Sequence, residues 1–454
     1  MRIIVAGDGK VGLAITRLLS QEGHDIVAID TKSNVLQDSL QNLDVMTVAG
    51  NCAAMDTLYE AGIEQADVLI AATNADETNL LCCFTGRKLN SRLHTIARVR
   101  NPEYTEQLYK MREDFGLSLI INPEKEAAKE IYRLLQLPGF IGRETFAKGR
   151  VEIVELKIEE GSVLEDVQLT RLHYVLGGKK VLVCAVIRDG EAFIPTSDTV
   201  FKVGDHIFVT APVAILSHIL KKIGITQKRI KYSMLIGGGR VCYYLAKHLA
   251  DSGVHVKIIE NDQARCEHLA ELLPSASIVY GDGSSVDVLE SEGLSEVDAL
   301  VTLTGLDELN VISSMYGKVK GVPNVVTKVN HMAATDGILD ELSLGGIVSP
   351  KELSSANVVQ YIRAMNNQAG AAITLHKIAN GRIEALEFVV GERSRNIGVP
   401  LKKIQLKSKI LIACITHNGI NIIPDGNSTF EIGDTVIVIT NREAPILQFN
   451  DIFA

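Results

Sequence analysis

Tryptophan is absent from the 454 residues, and no two of the seven cysteines stand in the C-x-x-C spacing of a zinc or redox site. The eleven histidines never fall four residues apart, so the helical two-histidine metal motif is missing as well. No metal site is expected. The cysteines, an odd number, read as buried thiols of a reducing cytoplasm, with Cys82 and Cys83 side by side in an apolar helical stretch. Apolar runs are strand-sized, such as Val181 to Ile187, far below the roughly 20 residues of a membrane-spanning helix. Met1-Arg2-Ile3-Ile4-Val5 leads straight into a strand and a glycine loop, so no cleavable signal peptide is expected. Basic excess is also lacking: Lys+Arg 46 against Asp+Glu 55 leaves a net charge of −9, which argues against nucleic acid as a partner. Low-complexity segments are absent, and 46% apolar with 22% charged residues is ordinary for a folded chain of about three compact units.

What the chain does contain is a repeat of itself. Gly7 pairs with Gly237, and Asp30 with Glu260, both at an offset of 230. Gly50-Asn51 matches Gly281-Asp282, and Thr73 with Asp76-Glu77-x-Asn79 matches Thr304 with Asp307-Glu308-x-Asn310, each at an offset of 231. Arg98 in Ile96-Ala97-Arg98-Val99 pairs with Lys328 in Val326-Thr327-Lys328-Val329. Ile194-Pro195 and Phe201 to Val209 recur at Ile423-Pro424 and Phe430 to Val438, an offset of 229. Seven landmarks at near-constant spacing define two copies of a half about 230 residues long.

The front of each half alternates strands and helices. A strand over 2–6 leads to a helix from Lys10 to Gln21 with Val11, Ala14, Ile15, Leu18 and Leu19 on one face, and strands follow near 25–30, 45–48, 67–72, 94–99 and 118–121. That order predicts an α/β fold: a doubly wound, Rossmann-like parallel sheet in each half. In the back part, Val151 to Lys157 mostly alternates as a half-exposed strand should, Val181 to Ile187 and Ile207 to Thr210 are further strands, and Val203-Gly204-Asp205 is a turn. The back part reads as a small α+β domain. The expected domains are 1–122 and 230–350 for the front parts and 140–222 and 371–454 for the back parts. A joint over about 212–230 carries a short amphipathic helix and then Thr226-Gln227-Lys228-Arg229.

Gly7-x-Gly9-x-x-Gly12 lies between strand and helix, with an acidic residue, Asp30, 18 positions on. In that context the first glycine allows a tight turn, the second lets backbone approach a pyrophosphate, and the third lets helix pack on sheet. Asp8, Lys10 and Val11 fill out the loop, whose free N–H groups meet anionic phosphate at the positive end of a helix dipole. Asp30 suits both ribose hydroxyls and repels a 2′-phosphate, favouring NAD over NADP; NAD, NADH, ATP and ADP share that adenosine ribose. Asn51 and Cys52 border the adenine, and Thr73 and Asn74 line the pyrophosphate or second ribose. Arg98 is either a cation for the site or a surface salt bridge. In the second copy Gly237 and Gly239 are intact, Cys242 replaces the third glycine and is expected to push the helix slightly off the sheet, and Glu260, Asp282 and Thr304 take the places of Asp30, Asn51 and Thr73. Lys10 and Arg240 either reach the terminal phosphates of ATP or point to water. A cation site at Glu155, Glu159 and Glu160 is weighed and set aside for a solvated strand edge.

G-D-G-K-V-G, the Asp30 strand end, Gly50-Asn51, Ala72-Thr73-x-x-Asp76-Glu77-x-Asn79 and Ile96-Ala97-Arg98-Val99 together resemble the TrkA family of potassium-uptake regulators, chains of tandem RCK (regulator of potassium conductance) units. The resemblance spans essentially the whole chain, the back parts resembling RCK carboxy-terminal domains. Cys242 departs from the family's usual glycine, and Asn51 stands where an aspartate is common. The resemblance implies a cytoplasmic regulator rather than an enzyme, peripheral at the inner face of the cell membrane. It implies a homo-oligomeric RCK ring, a tetramer of tandem chains, beneath a membrane potassium channel subunit of the TrkH type. It further implies that NAD(H) and the adenine nucleotides ATP and ADP bias the gate. Two other functions compete. An NAD-dependent dehydrogenase would need an acid/base residue beside the nicotinamide, and His24, His94 and His206 show no spacing that points to one. A free-standing nucleotide sensor differs only in its partner.

Overall fold

The computed structural model describes residues 1–136, 143–146, 151–223, 230–330, 346–366, 372–379, 382–441, 446 and 448–454. They divide into two units, Met1–Leu135 with Ile230–Val359 and Gln136–Arg229 with Gln360–Ala454. The part of the expected joint at Thr226 to Arg229 lies outside the described residues.

The first unit holds two parallel sheets. In the first copy β1 (Arg2–Ala6), α1 (Lys10–Gln21), β2 (Asp25–Asp30), α2 (Ser33–Asn42), β3 (Met46–Ala49), α3 (Met55–Glu60), β4 (Val68–Ala71), α4 (Asp76–Leu89), β5 (His94–Arg98), α5 (Pro102–Lys110), β6 (Leu119–Ile121) and α6 (Pro123–Gln136) alternate. The strand order β3-β2-β1-β4-β5-β6 reverses direction between β1 and β4, the switch point at which a doubly wound sheet opens a crevice. Strands covered on both faces need continuous apolar runs, and Ile3 to Ala6 and Val68 to Ala71 are fully buried. On α1, Val11, Ile15 and Leu19 are buried as their spacing predicts, but Leu18 is 36% exposed and Gly12 and Thr16 complete the buried stripe.

The second copy repeats the plan with β12 (Tyr232–Ile236), α9 (Arg240–Asp251), β13 (His255–Glu260), α10 (Gln263–Leu272), β14 (Ser277–Tyr280), α11 (Val286–Ser291), β15 (Ala299–Thr302), α12 (Asp307–Val319), β16 (Asn324–Lys328) and β17 (Gly346–Val348), in the order β14-β13-β12-β15-β16-β17. The two copies share a core. Ala127, Ala128, Ile131 and Leu135 of α6 are buried with Val241, Leu245 and Leu249 of α9 and with Val326 and Val348 of the second sheet. A helix of the first copy is thus part of the second copy's apolar cluster.

The second unit holds two antiparallel sheets. β7 (Arg143–Phe146), β8 (Val151–Lys157), β9 (Leu182–Arg188), β10 (Glu191–Phe193) and β11 (His206–Thr210) run in the order β10-β9-β11-β8-β7, with the short helix α7 (Leu172–Val175) before β9 and α8 (Val213–Lys222) after β11. β18 (Thr374–Ile378), β19 (Ile383–Val389), β20 (Ile410–His417), β21 (Ile420–Ile422) and β22 (Thr435–Thr440) repeat it as β18-β19-β22-β20-β21. Asp189-Gly190 and Asn418-Gly419 turn the β9–β10 and β20–β21 hairpins with positive φ at both residues, as primed hairpin turns require. β8 differs from its half-exposed expectation. Val151 and Ile153 pack with Ala385, Cys414 and Ile437 of the second sheet, whereas Val154 and Leu156 pack with Leu216 and Leu220 of α8, so both faces are buried. Glu155 there meets His206 at 2.7 Å, and no cluster able to hold a metal occurs among the described residues.

Candidate functional site: two glycine cradles

Both glycine loops sit at the carboxyl end of a central strand. Gly7 has φ 93° and Gly237 φ 99°, left-handed values that favour glycine. A Cβ on Gly7 would stand 2.7 Å from the Thr73 nitrogen, and one on Gly237 3.0 Å from that of Thr304, so each turn packs directly on the loop after β4 or β15. Gly9 and Gly239 cap the following helices with φ/ψ of −73°/−171° and −68°/−173°. A Cβ on either would meet nothing within 4 Å. The two caps therefore border open space in front of free helix N–H groups, the geometry that admits a phosphate.

The third position differs between copies. A Cβ on Gly12 would lie 1.8 Å from the Gly7 carbonyl oxygen. Cys242 carries a Cβ there and is fully buried. The loop backbone is nonetheless almost unchanged, with φ 99° at Gly237 against 93° at Gly7.

Below the first loop, Asp30 Oδ2 accepts the Asp8 N–H at 2.9 Å and Oδ1 accepts that of Lys32 at 2.9 Å. Glu260 does the same, Oε2 accepting from Gly238 at 2.6 Å and Oε1 from Asn261 and Asp262 at 2.8 and 2.9 Å. Both Asp30 oxygens and Glu260 Oε2 accept one N–H each and retain acceptor capacity for a hydroxyl, whereas Glu260 Oε1 already accepts two. Asp8 is buried and accepts from Ser39 Oγ at 2.6 Å, and Val11 belongs to the core. Lys10 and Arg240 are exposed at the loop tips. Asn51 is exposed and accepts the Ala53 N–H at 3.1 Å, while Asp282 accepts from Ser284 N and Oγ, bonds that hold its carboxyl below the usual range. Cys52 is buried beside Cys82, whose thiol lowers its pKa, and all seven cysteines are free and buried.

Thr73 and Asn74 follow β4. Thr73 is held by Asn79, whose Oδ1 accepts from Thr73 N at 2.8 Å and from Thr73 Oγ1 at 2.6 Å. The Asn74 carbonyl accepts from the Arg100 guanidinium. Thr304 and Asn310 repeat the first pair at 2.9 and 2.8 Å. Asp76 accepts the N–H groups of Arg100 and Asn101, both at 2.8 Å, and Asp307 accepts that of Asn330 at 2.8 Å. The Asp-Glu-x-Asn segment is therefore a clamp that fixes the loops after two neighbouring strands.

Arg98 is only 9% exposed, so it is not a surface residue; its Nη2 lies 3.9 Å from Glu124 Oε1. Burial pushes its pKa down, Glu124 opposes this, and Arg240 of the second copy adds to it. Lys328, the repeat partner of Arg98, donates to the Leu303 carbonyl at 3.0 Å. Burial lowers its pKa too, with Asp307 and Glu124 acting against and Lys10 of the first copy acting with it. Each cradle's strand-end cation, Arg98 or the half-buried Lys328, thus lies within electrostatic reach of the other cradle's loop cation. Sequence spacing assigned Lys328 no role in the site, although the repeat itself pairs it with Arg98. Glu124, whose Oε1 is also 4.0 Å from Arg100 Nη1, carries no sequence signal.

The TrkA-N domain model matches residues 3–123 and 233–350, and the TrkA-C domain model matches 153–224 and 385–454. The Trk system potassium uptake protein TrkA homolog 2 of Methanosarcina mazei is 31% identical over 98% of each chain. The TrkA homolog of Archaeoglobus fulgidus is 30% identical over 100% of each. The fold is similar to that of the GsuK RCK domain (TM-score 0.61, 16% identity, 97% of this chain and 92% of that one). A structure titled GsuK channel bound to NAD gives TM-score 0.61 and 16% identity over 97% of this chain and 77% of that one. Both domain models matching in both halves, together with full-length relatives 30% and 31% identical, place the chain in the TrkA family of Trk system potassium uptake proteins.

Proposed function

We propose that this chain is the nucleotide-binding regulatory subunit of a potassium uptake system, and that it gates a membrane potassium channel subunit of the TrkH type. The observation that carries this reading is the open cradle at Gly9 and Gly239 with an acidic strand end, Asp30 or Glu260, beneath each. Gly7, Gly9, Gly12, Gly237 and Gly239 supply approach for a pyrophosphate. Asp30 and Glu260 bind the adenosine ribose of NAD, NADH, ATP or ADP. Asn51, Cys52 and Asp282 border the adenine, and Thr73, Asn74 and Thr304 line the phosphates or second ribose. Lys10, Arg98 and Arg240 supply positive charge.

Such a subunit needs no catalytic step. His24 faces Glu22 at 3.7 Å, His94 faces Ser118 Oγ at 3.4 Å, and His206 faces Glu155. The nucleotide acts through unequal affinity for two shapes of a homo-oligomeric RCK ring, a tetramer of tandem chains, where a coupling of about 1–3 kcal/mol per site is ordinary. The working location is cytoplasmic, at the membrane through the partner; no described helix is long and apolar enough to cross a membrane.

Calorimetric titration of NADH, NAD, ATP and ADP into the whole chain tests the site. Asp30→Ala is expected to weaken all four, because they share the ribose. Wild-type affinities retained in that variant refute the assignment, and hydride transfer from NADH to a small carbonyl refutes the regulator. Co-purification with a TrkH-type subunit separates it from a free-standing sensor.

A further inference from the structure

Away from both cradles, a cavity of about 320 Å³ opens between α5 and α6 of the first copy and the middle of α9. That is large enough for a small molecule, since such sites begin at roughly 300 Å³. Tyr243 and Tyr244 line it with rings 5.3 Å apart at 68°, and Lys125, Lys247 and His248 stand around them. Asp251 contributes a carboxylate. Neither Lys125 nor Lys247 has a carboxylate partner among the described residues, and Lys125 instead lies 5.2 Å above the Tyr109 ring.

We infer that this cavity binds a small organic phosphate carrying a planar ring. Two lysines against one carboxylate favour a phosphate, and paired tyrosines offer a planar ring an amphipathic surface. Burial first, then Lys129, Lys125 and Lys247, push the His248 pKa down while Asp251 raises it, so its imidazole is favoured in the neutral form and offers the cavity a hydrogen-bonding ring nitrogen rather than a charge.

The site is not a leftover of the duplicated cradle. The positions on α1 that correspond by the repeat are Leu13, Ala14, Arg17 and Leu18, so the two tyrosines and the histidine belong to the second copy alone. The cavity also touches the first cradle's surroundings. The Tyr244 hydroxyl accepts from Asn122 Nδ2 at 3.1 Å and donates to the Arg100 carbonyl at 3.3 Å, and Lys125 adjoins Glu124, the ion-pair partner of Arg98.

Phenyl phosphate is the probe, titrated calorimetrically into the full chain with and without saturating NAD. It is expected to bind one site per chain whether or not NAD is present. Lys247→Glu on the exposed side of α9 is expected to weaken it roughly tenfold or more, as loss of a charged contact does, and Tyr243→Ala by about threefold or more. Inorganic phosphate, lacking the ring, is expected to bind at least about threefold more weakly. Displacement by NAD would place the probe in a cradle and overturn the proposal. Equal affinity in wild type and Lys247→Glu, or no binding, overturns it even if the chain does not bind NAD.

Discussion

Asn79 donates its carboxamide to the Arg98 carbonyl oxygen at 2.9 Å, and its repeat partner Asn310 donates to Lys328 at 3.0 Å. One fully buried side chain thereby joins the loop that packs on the glycine turn to the strand end that carries the buried cation. Asn79→Ala leaves the Thr73 N–H and the Arg98 carbonyl without that partner. A loss of about 1–3 kcal/mol is expected, the cost of stranding a buried polar group. Chemical denaturation of both proteins measures it, and an unchanged midpoint would show the clamp to be dispensable.

Gly12 tolerates no side chain without movement of α1, since its Cβ would meet the Gly7 oxygen at 1.8 Å. Gly12→Ala is expected to cost about 1–3 kcal/mol through overpacking. It is also expected to distort the first cradle selectively, so that NAD titration loses one site of two. Loss of both sites, or of neither, would contradict the independence of the two loops.

Lys10 is exposed at the loop tip, and the proposed function gives it the terminal phosphates of ATP. Lys10→Ala is expected to weaken ATP about tenfold, the value of one charge-assisted contact, and NAD by less than about threefold. Calorimetry with both ligands decides the matter: equal losses refute a role at the terminal phosphate.

His417 and Asp434 form the second small domain's version of a pair that the first builds with Arg188 and Asp205, at the same offset of 229. His417 Nδ1 lies 2.7 Å from Asp434 Oδ1, and this contact raises the imidazole pKa, aided by the Asp434 and Glu431 charges. A raised folded-state pKa means that the stabilisation is complete below the ordinary histidine value of about 6.5 and fades as pH rises through the folded-state value. Melting temperature is therefore expected to fall from about pH 5 to about pH 8 more steeply in wild type than in His417→Arg, whose charge is constant. Parallel curves would remove His417 from the pH response.

The duplication was legible because it is written in local patterns. Gly-x-Gly-x-x-Gly between strand and helix, Asp30 or Glu260 closing the next strand, and Asp-Glu-x-Asn after the fourth strand each act over a few residues. β8 misled for the opposite reason: periodicity reports the faces of a strand but not what comes to cover them. Leu216 of α8 and Cys414 of the second sheet bury its two sides, and both are distant in sequence.

By itself, the order of residues determined two doubly wound sheets, two small α+β domains and two glycine loops, since backbone conformation and hydrophobic period are set within a turn or a strand. Tertiary structure alone decided that α6 shares a core with the second copy, that Arg98 is buried against Glu124, and that Lys10 and Arg240 each act on the opposite copy's cation. Burial and long-range charge depend on which surfaces meet, and no pattern along the chain encodes that meeting.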